Sequence, residues 1–283
     1  MTSGGPVAVI TDSTAYLPAG LAAARGVRVV PVHVVLAGRA GAEGVDVSPA
    51  DVAATLARRA PVTTSRPSPA EFAMAYAEAF SAGASGVVSI HLSGRMSGTV
   101  ASARSAAADS AYDVEVVDSQ TVCMGLGFAV LAAAAAAAQG SSTAEVAQAA
   151  AATAAGTRTL FYVATLEHLR RGGRIGAAAS RLGTALAVKP LLHVSAGEVA
   201  LLEKVRTASR ALARLEELAL DAAAGGPVDV AVHHLSAAEP AEELARRLRD
   251  RLPAACSLHL SEVGAVVGAH TGPGLLGVVV SRA

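Results

Sequence analysis

The chain predicts an α/β protein of two domains, an N-terminal parallel sheet flanked by helices and a C-terminal α/β domain with a mixed or antiparallel sheet. Three observations predict it. Its 283 residues suffice for two domains of ordinary size, each with a core of its own. In the first half, short apolar runs alternate with helical segments, the rhythm of a parallel sheet covered on both faces. After about residue 157 the texture changes to shorter strands that turn back on one another. The expected division is 1–157 and 158–283.

Val7 to Ile10 reads as the first strand, followed by a helix near Pro18 to Ala24, a strand from Val27 to Val35, and helices around Pro49 to Arg59 and Pro69 to Ser81. The last of these has the firmest local signature. Ser68 can cap it, Pro69 suits the first helical position, and Glu71 stands three residues after the cap. Val87 to His91 and Val114 to Val117 read as strands on either side of a helix from about Ser97 to Asp109, and two Ala-rich helices lie before and after Gly140-Ser141-Ser142. In the second half a strand at Leu160 to Ala164 and a short helix at Leu166 to Arg171 precede the break at Gly172-Gly173. Strands follow at Leu191 to Val194, Val199 to Leu202, Val228 to Val232, Ser257 to Leu260 and Gly277 to Val280, with helices near Ser209 to Ala223 and Pro240 to Arg251. Ser195-Ala196-Gly197-Glu198 reads as a hairpin turn.

Lys+Arg and Asp+Glu number 23 each, so no global field draws the chain to nucleic acid or to an anionic membrane. The local balance differs: from Arg158 to Arg214 there are ten Lys/Arg against three Asp/Glu, a basic block in the middle of the chain. Hydrophobic residues make up 52% but aromatics only 3%, so the interior is built of Ala, Val and Leu. The apolar run Leu131 to Ala138 is mostly alanine and too weakly hydrophobic to span a bilayer. The N-terminal residues lack a charged region and a long apolar stretch, and Cys123 and Cys256 show no metal-ligand or CxxC spacing; both point to a cytoplasmic protein.

Several hydroxyl-rich segments stand where ligands bind in open α/β sheets, beyond the carboxyl ends of strands. Leu92-Ser93-Gly94-Arg95-Met96-Ser97-Gly98-Thr99 follows an apolar run and precedes an Ala-rich helix, which suggests a small anion site at a helix start. Thr11-Asp12-Ser13-Thr14 and Asp118-Ser119-Gln120-Thr121 echo each other after two other strands, with helix capping as the plainer reading. Thr63-Thr64-Ser65-Arg66-Pro67-Ser68-Pro69 is a hydroxyl cluster that two prolines stiffen. Near the C-terminus His270 stands among glycines, where a backbone can approach a ligand closely. Gly272-Pro273-Gly274-Leu275-Leu276-Gly277 spells GxGxxG, but the chain runs on for only six residues, too few for the acidic residue of a dinucleotide site.

Six segments occur in the order of one family: Thr11-Asp12-Ser13-Thr14-Ala15, Thr64-Ser65-Arg66-Pro67-Ser68-Pro69, Leu92-Ser93 with Ser97-Gly98-Thr99, Gly172-Gly173-Arg174-Ile175-Gly176, Lys204-Val205-Arg206-Thr207 and His270-Thr271-Gly272-Pro273-Gly274. The set resembles the DegV family over nearly the full length. The resemblance implies a two-domain DegV-type fold that holds one long-chain fatty acid, its carboxylate at the domain junction and its tail buried. It implies the fatty-acid-binding subunit of bacterial fatty acid kinase, which presents the acyl group to a separate ATP-dependent kinase subunit for acyl phosphate formation and phospholipid synthesis. It implies no metal, no cofactor besides the bound fatty acid, no nucleic-acid partner, no stable membrane insertion and no catalysis by this chain.

Carried over by residue, the resemblance assigns Thr64, Ser93 and His270 to the carboxylate, with Thr63, Gly94 and Ser97 beside them, and Arg174 and Arg206 to partner docking. Two positions depart from the family pattern. Ser93 is followed by Gly94 and Arg95 where a second serine is common, and Arg66 stands where many relatives carry Gln. The rival from another class is a serine hydrolase or acyltransferase using Ser93 or Ser97 with His270, for which Asp12 could supply the acid.

Overall fold

The computed structural model describes residues 5–175, 189–252 and 257–282; Gly176 and Cys256 lie outside them. The chain forms two compact units, one of Met1–Val32 and Ser65–Gly156, the other of His33–Thr64 and Thr157–Ala283. The units are therefore not contiguous in sequence: residues 33–64 fold with the C-terminal half. Pro31 marks the first crossing. The expected single strand from Val27 to Val35 is two strands, Val27–Val30 in the sheet of the first unit and His33–Leu36 in a small sheet of the second. Proline has no N–H to give to a ladder, so pairing stops there.

The sheet of the first unit has the order Val27–Val30, Val7–Asp12, Gly86–His91, Val114–Asp118, and all its pairs are parallel. Register pairs Val9 with both Val27 and Val88, and Ile90 with Val117. Alternation then sends side chains to two layers. Val9, Val88 and Ile90 pack with Leu126, Ala129 and Ala133 of helix Met124–Ala138 and with Val146 and Ala150 of helix Thr143–Ala155. Ile10 and Val87 face the other way, against Phe72, Ala75 and Tyr76 of helix Pro69–Ser81 and Ala103 and Ala106 of helix Thr99–Ala108. Every residue of Gly86–His91 is buried, as expected of a strand covered on both faces. The capping box at Ser68 is present in both directions, with the Glu71 N–H donating to Ser68 Oγ and the Ser68 N–H to Glu71 Oε2.

The larger sheet of the second unit has the order Glu198–Val205, Lys189–Ser195, Thr157–Tyr162, Leu275–Arg282, Val228–Leu235, Ser257–Glu262. Its pairs are antiparallel except the last, which makes the sheet mixed. The hairpin turn falls where the sequence sets it: Ala196 and Gly197 have φ of 48° and 80°, the left-handed values that a two-residue turn between twisted strands demands. Helices Ala208–Ala223 and Ala238–Arg251 supply Leu215, Leu244 and Leu248 to a core with Val230, Val232, Val278 and Val280. Arg39–Ala42, His33–Leu36 and Val62–Ser65 form a three-stranded sheet, joined in this unit by helices Pro49–Ala57 and Ala265–Thr271. The glycines of the GxGxxG segment lead into strand Leu275–Arg282 and open no helix, so the dinucleotide reading fails on context as well.

The alanine-rich helix Met124–Ala138 sits close to its neighbours, and Gly127 is the tightest point. A Cβ there would lie 2.8 Å from the Ala15 carbonyl oxygen and 2.6 Å from Met124 Sδ. Alanine is favoured over glycine in a helix by about 1 kcal/mol, but overpacking against a fixed backbone atom costs about 1–3 kcal/mol. Gly127→Ala is therefore expected to lower the urea midpoint of unfolding. A raised midpoint would show that the contact relaxes without cost.

Candidate functional site

Thr64 and His270, 206 positions apart, meet within the second unit: Thr64 Oγ1 lies 2.9 Å from His270 Nε2. The segment carrying Thr63 and Thr64 is not the loop its prolines suggest but a strand, Val62–Ser65. Alternation turns Thr64 inward, half-buried, and leaves Thr63 exposed on the opposite face. His270 occupies the last turn of helix Ala265–Thr271, which Gly272 ends with a φ of 71°. The start of that short helix is held by a buried carboxylate, Glu43, whose Oε1 accepts the Val266 N–H at 2.7 Å. Neither the helix nor the part played by Glu43 is legible in the sequence, because Gly264, Gly268 and Gly272 mimic a loop.

The Gly172-Gly173-Arg174 segment belongs to the same group. A Cβ on Gly172 would come within 2.2 Å of His270 Nδ1, so only glycine lets this backbone lie against the imidazole. Arg174 Nη1 donates to the Gly172 carbonyl at 2.6 Å. Burial, and secondarily the Arg174 charge, push the His270 imidazole down to about 4, so the ring is neutral near pH 7. His270 Nδ1 is buried without a hydrogen-bond partner. An orphaned N–H is rarer and costlier than an orphaned lone pair, so we assign the proton to Nε2. Nε2–H then donates to Thr64 Oγ1, and the Thr64 hydroxyl keeps its own proton for an acceptor elsewhere.

The Ser93 turn belongs to the first unit and is buried at Ser93. Its backbone donors are committed to the protein. Ser93 N–H donates to Thr121 O at 2.9 Å, Gly94 N–H to Asp118 Oδ1 at 3.1 Å and Arg95 N–H to Ser93 Oγ at 3.2 Å. Met96 and Ser97 N–H groups both donate to Ser93 O, and Thr99 N–H donates to Ser97 Oγ at 3.3 Å. These turn amides are therefore not open to a ligand, and the Gly94 N–H, bonded to Asp118, does not replace the serine hydroxyl that is common after Ser93. Gly94 is required sterically, since a Cβ there would lie 2.9 Å from Asp118 Oδ2. Ser97 Oγ, 2.8 Å from Thr99 Oγ1, stabilises its own loop. A Cβ on Gly98 would lie 2.5 Å from Arg66 Nη1, so the guanidinium of the departing residue Arg66 packs directly on this segment.

The groups of the rival constellation are each engaged within their own unit. Asp12 bonds Thr14, His91 and Leu92, and His270 Nε2 faces Thr64. Arg206 is exposed beyond strand Glu198–Val205, just before Thr207, which accepts the Arg210 N–H to cap helix Ala208–Ala223. Among the described residues no group of three or more His, Cys, Asp or Glu is arranged to hold a metal, and no helix is long and apolar enough to cross a membrane.

The fold and these groups define a two-unit α/β protein whose polar centre in the second unit offers a neutral imidazole and a hydroxyl. A profile described as "Uncharacterised protein, DegV family" matches residues 6–283. A DegV domain-containing protein of Streptomyces coelicolor is 56% identical over 275 residues, 97% of this chain and 98% of its own length. Among solved structures, a DegV family protein of Thermus thermophilus described for fatty acid binding aligns with a TM-score of 0.92 at 34% identity, covering 98% of this chain and 100% of that one. Bacillus subtilis DegV, described as a fatty acid binding protein, aligns with a TM-score of 0.90 at 32% identity, covering 99% and 100%. The chain belongs to the DegV family.

His233 resembles His270 in one respect: burial first of all pushes it too down to about 4. Both lie below the ordinary value of 6.5, so the unfolded chain takes up the extra protons. Their contribution is fully present above that ordinary value and is lost as pH falls from it towards about 4. Denaturant unfolding is expected to show a loss of stability between neutral and acid pH, and His270→Gln is expected to remove on the order of 1–3 kcal/mol of that dependence. An unchanged pH profile in the variant would show that His270 titrates normally.

Proposed function

We propose that the protein binds one long-chain fatty acid and presents its carboxylate to a separate ATP-dependent kinase subunit, which forms the acyl phosphate used in phospholipid synthesis. The Thr64–His270 hydrogen bond carries the reading, in a chain whose solved relatives at TM-scores of 0.92 and 0.90 are described as fatty acid binding. Thr64, oriented by His270, and Ser93 donate to the carboxylate. Thr63, exposed on the face of its strand opposite Thr64, does not share that carboxylate, and Gly94 and Ser97 shape the Ser93 turn. The ligand itself is the only non-protein group required. Use of ATP by the partner puts the exchange in the cytoplasm.

Tail and head have separate tasks. Burial of the tail contributes about 0.8 kcal/mol per CH₂ and dominates affinity. The head group sets orientation. Neutral donors suit presentation better than a direct salt bridge would, because they hold the carboxylate without neutralising the charge that must attack phosphorus. In the handover a carboxylate oxygen bonds to the γ-phosphorus of ATP, the bond to the β,γ-bridging oxygen breaks, and ADP leaves. Every acting group besides the carboxylate belongs to the partner. Arg174 and Arg206, within the basic middle block, are the proposed docking cations.

Mass spectrometry of lipid extracted from natively purified protein is expected to reveal a long-chain fatty acid. Repeated absence of one, with no uptake of added fatty acid, overturns the proposal. Arg206→Ala is expected to retain its lipid while acyl phosphate formation by the partner falls about tenfold, as loss of one charged interface contact implies. A variant purified empty would move Arg206 from docking to the lipid site.

A further inference from the structure

Asp12 closes strand Val7–Asp12 and is wholly buried, and four donors converge on its carboxylate. Oδ1 accepts the Thr14 N–H at 3.0 Å and the Thr14 hydroxyl at 2.5 Å. Oδ2 accepts the Leu92 N–H at 3.0 Å and the His91 Nδ1–H at 3.1 Å. Behind His91 the chain of bonds continues, since Nε2 lies 2.7 Å from Ser89 Oγ and the Tyr76 hydroxyl donates to Ser89 Oγ at 3.0 Å. Burial pushes the Tyr76 phenol up to about 12, so it keeps its proton. One set of protons satisfies every member: Tyr76 gives to Ser89, Ser89 to His91 Nε2, and His91 Nδ1–H to Asp12.

Ser89, His91 and Asp12 thus repeat the bonding order of a nucleophilic triad. They do no such chemistry, because all three are wholly buried and Tyr76 occupies Ser89 from behind. The outlet of the network is a backbone amide. Leu92, whose N–H Asp12 holds, is the residue before Ser93, and Ser93 N–H is pinned in turn by Thr121 O. A charged acceptor on the first of two successive amides fixes where the strand ends and the turn begins.

We infer that Asp12 is a positioning residue for Ser93, acting through the Leu92 amide to aim the Ser93 hydroxyl at a ligand carboxylate; the inference rests on the fatty-acid reading. Asp12→Asn keeps the shape but replaces one accepting oxygen with an NH₂ group, so in either orientation two of the four donors lose their acceptor.

The test measures binding of a long-chain fatty acid and of the fatty alcohol of equal length to the wild type, Asp12→Asn, Ser93→Ala and the double variant. Asp12→Asn is expected to lose about tenfold for the acid and less than about twofold for the alcohol. The double variant should bind the acid no more weakly than Ser93→Ala alone, since one residue acts through the other. Equal losses for acid and alcohol, additive losses, or no loss overturn the inference. If Asp12→Asn does not fold, Thr14→Val takes its place; it removes the hydroxyl donor alone, with an expected loss of about threefold confined to the acid. A wild type that takes up neither ligand overturns the fatty-acid reading itself, and the positioning role with it.

Discussion

A carboxylate taken out of water must be met by donors on every side, and in the first unit Asp12 imposes that requirement on the carboxyl end of the sheet. An unpaired buried charge costs several kcal/mol, more than most single contacts return. The requirement explains otherwise unrelated choices: a threonine two residues on, a histidine at the end of the most buried strand, a serine two residues before it, and a strand end that brings the Leu92 amide to Oδ2. The second unit repeats the device with Glu43, which takes an amide at the start of the helix bearing His270. In both units a buried acid fixes the backbone beside a proposed binding residue.

Close backbone approach is the second constraint, and it follows from the first. Once Glu43 sets the helix Ala265–Thr271, the imidazole of His270 has little room. Gly172 lies against one nitrogen and Thr64 against the other. Desolvation keeps the ring neutral, and the missing partner at Nδ1 fixes its tautomer. A charged imidazole would add a second N–H at Nδ1, where no acceptor stands.

Local chemistry was legible in the sequence where neighbours in the chain decide it. The Ser68-Glu71 capping box, the Ser195–Glu198 hairpin and the buried run through Ile90 all depend on residues within a few positions. The assignment of residues 33–64 was not, because it depends on which strands pair and not on how strand-like they are. Val62–Ser65 carries the composition of a loop and becomes a strand beside His33–Leu36. The His270 helix is capped by a residue 223 positions away, a bond that no local pattern announces. Thr64, Ser93 and His270 were individually visible, but the bond between Thr64 and His270 and the route from Asp12 to Leu92 are products of the fold.

The largest revision concerns how an anion would be held. A strand ending in serine and glycine before a helix suggests backbone amides aimed at a ligand, as in phosphate-binding loops. Here the amides of Ser93, Gly94, Arg95, Met96, Ser97 and Thr99 are all taken by protein acceptors, and the Asp118 carboxylate stands beside Gly94. Those amides are closed to a ligand, and the donors proposed in their place are hydroxyls. Ser93 Oγ accepts the Arg95 N–H and Thr64 Oγ1 accepts the His270 Nε2–H. Thr64, which accepts from a fixed N–H, keeps its own proton to give in another direction. Within each unit, one hydroxyl thus accepts from a nitrogen donor of the protein. A neutral donor of this kind fits the function proposed above, in which a carboxylate is held for direction and left with its charge.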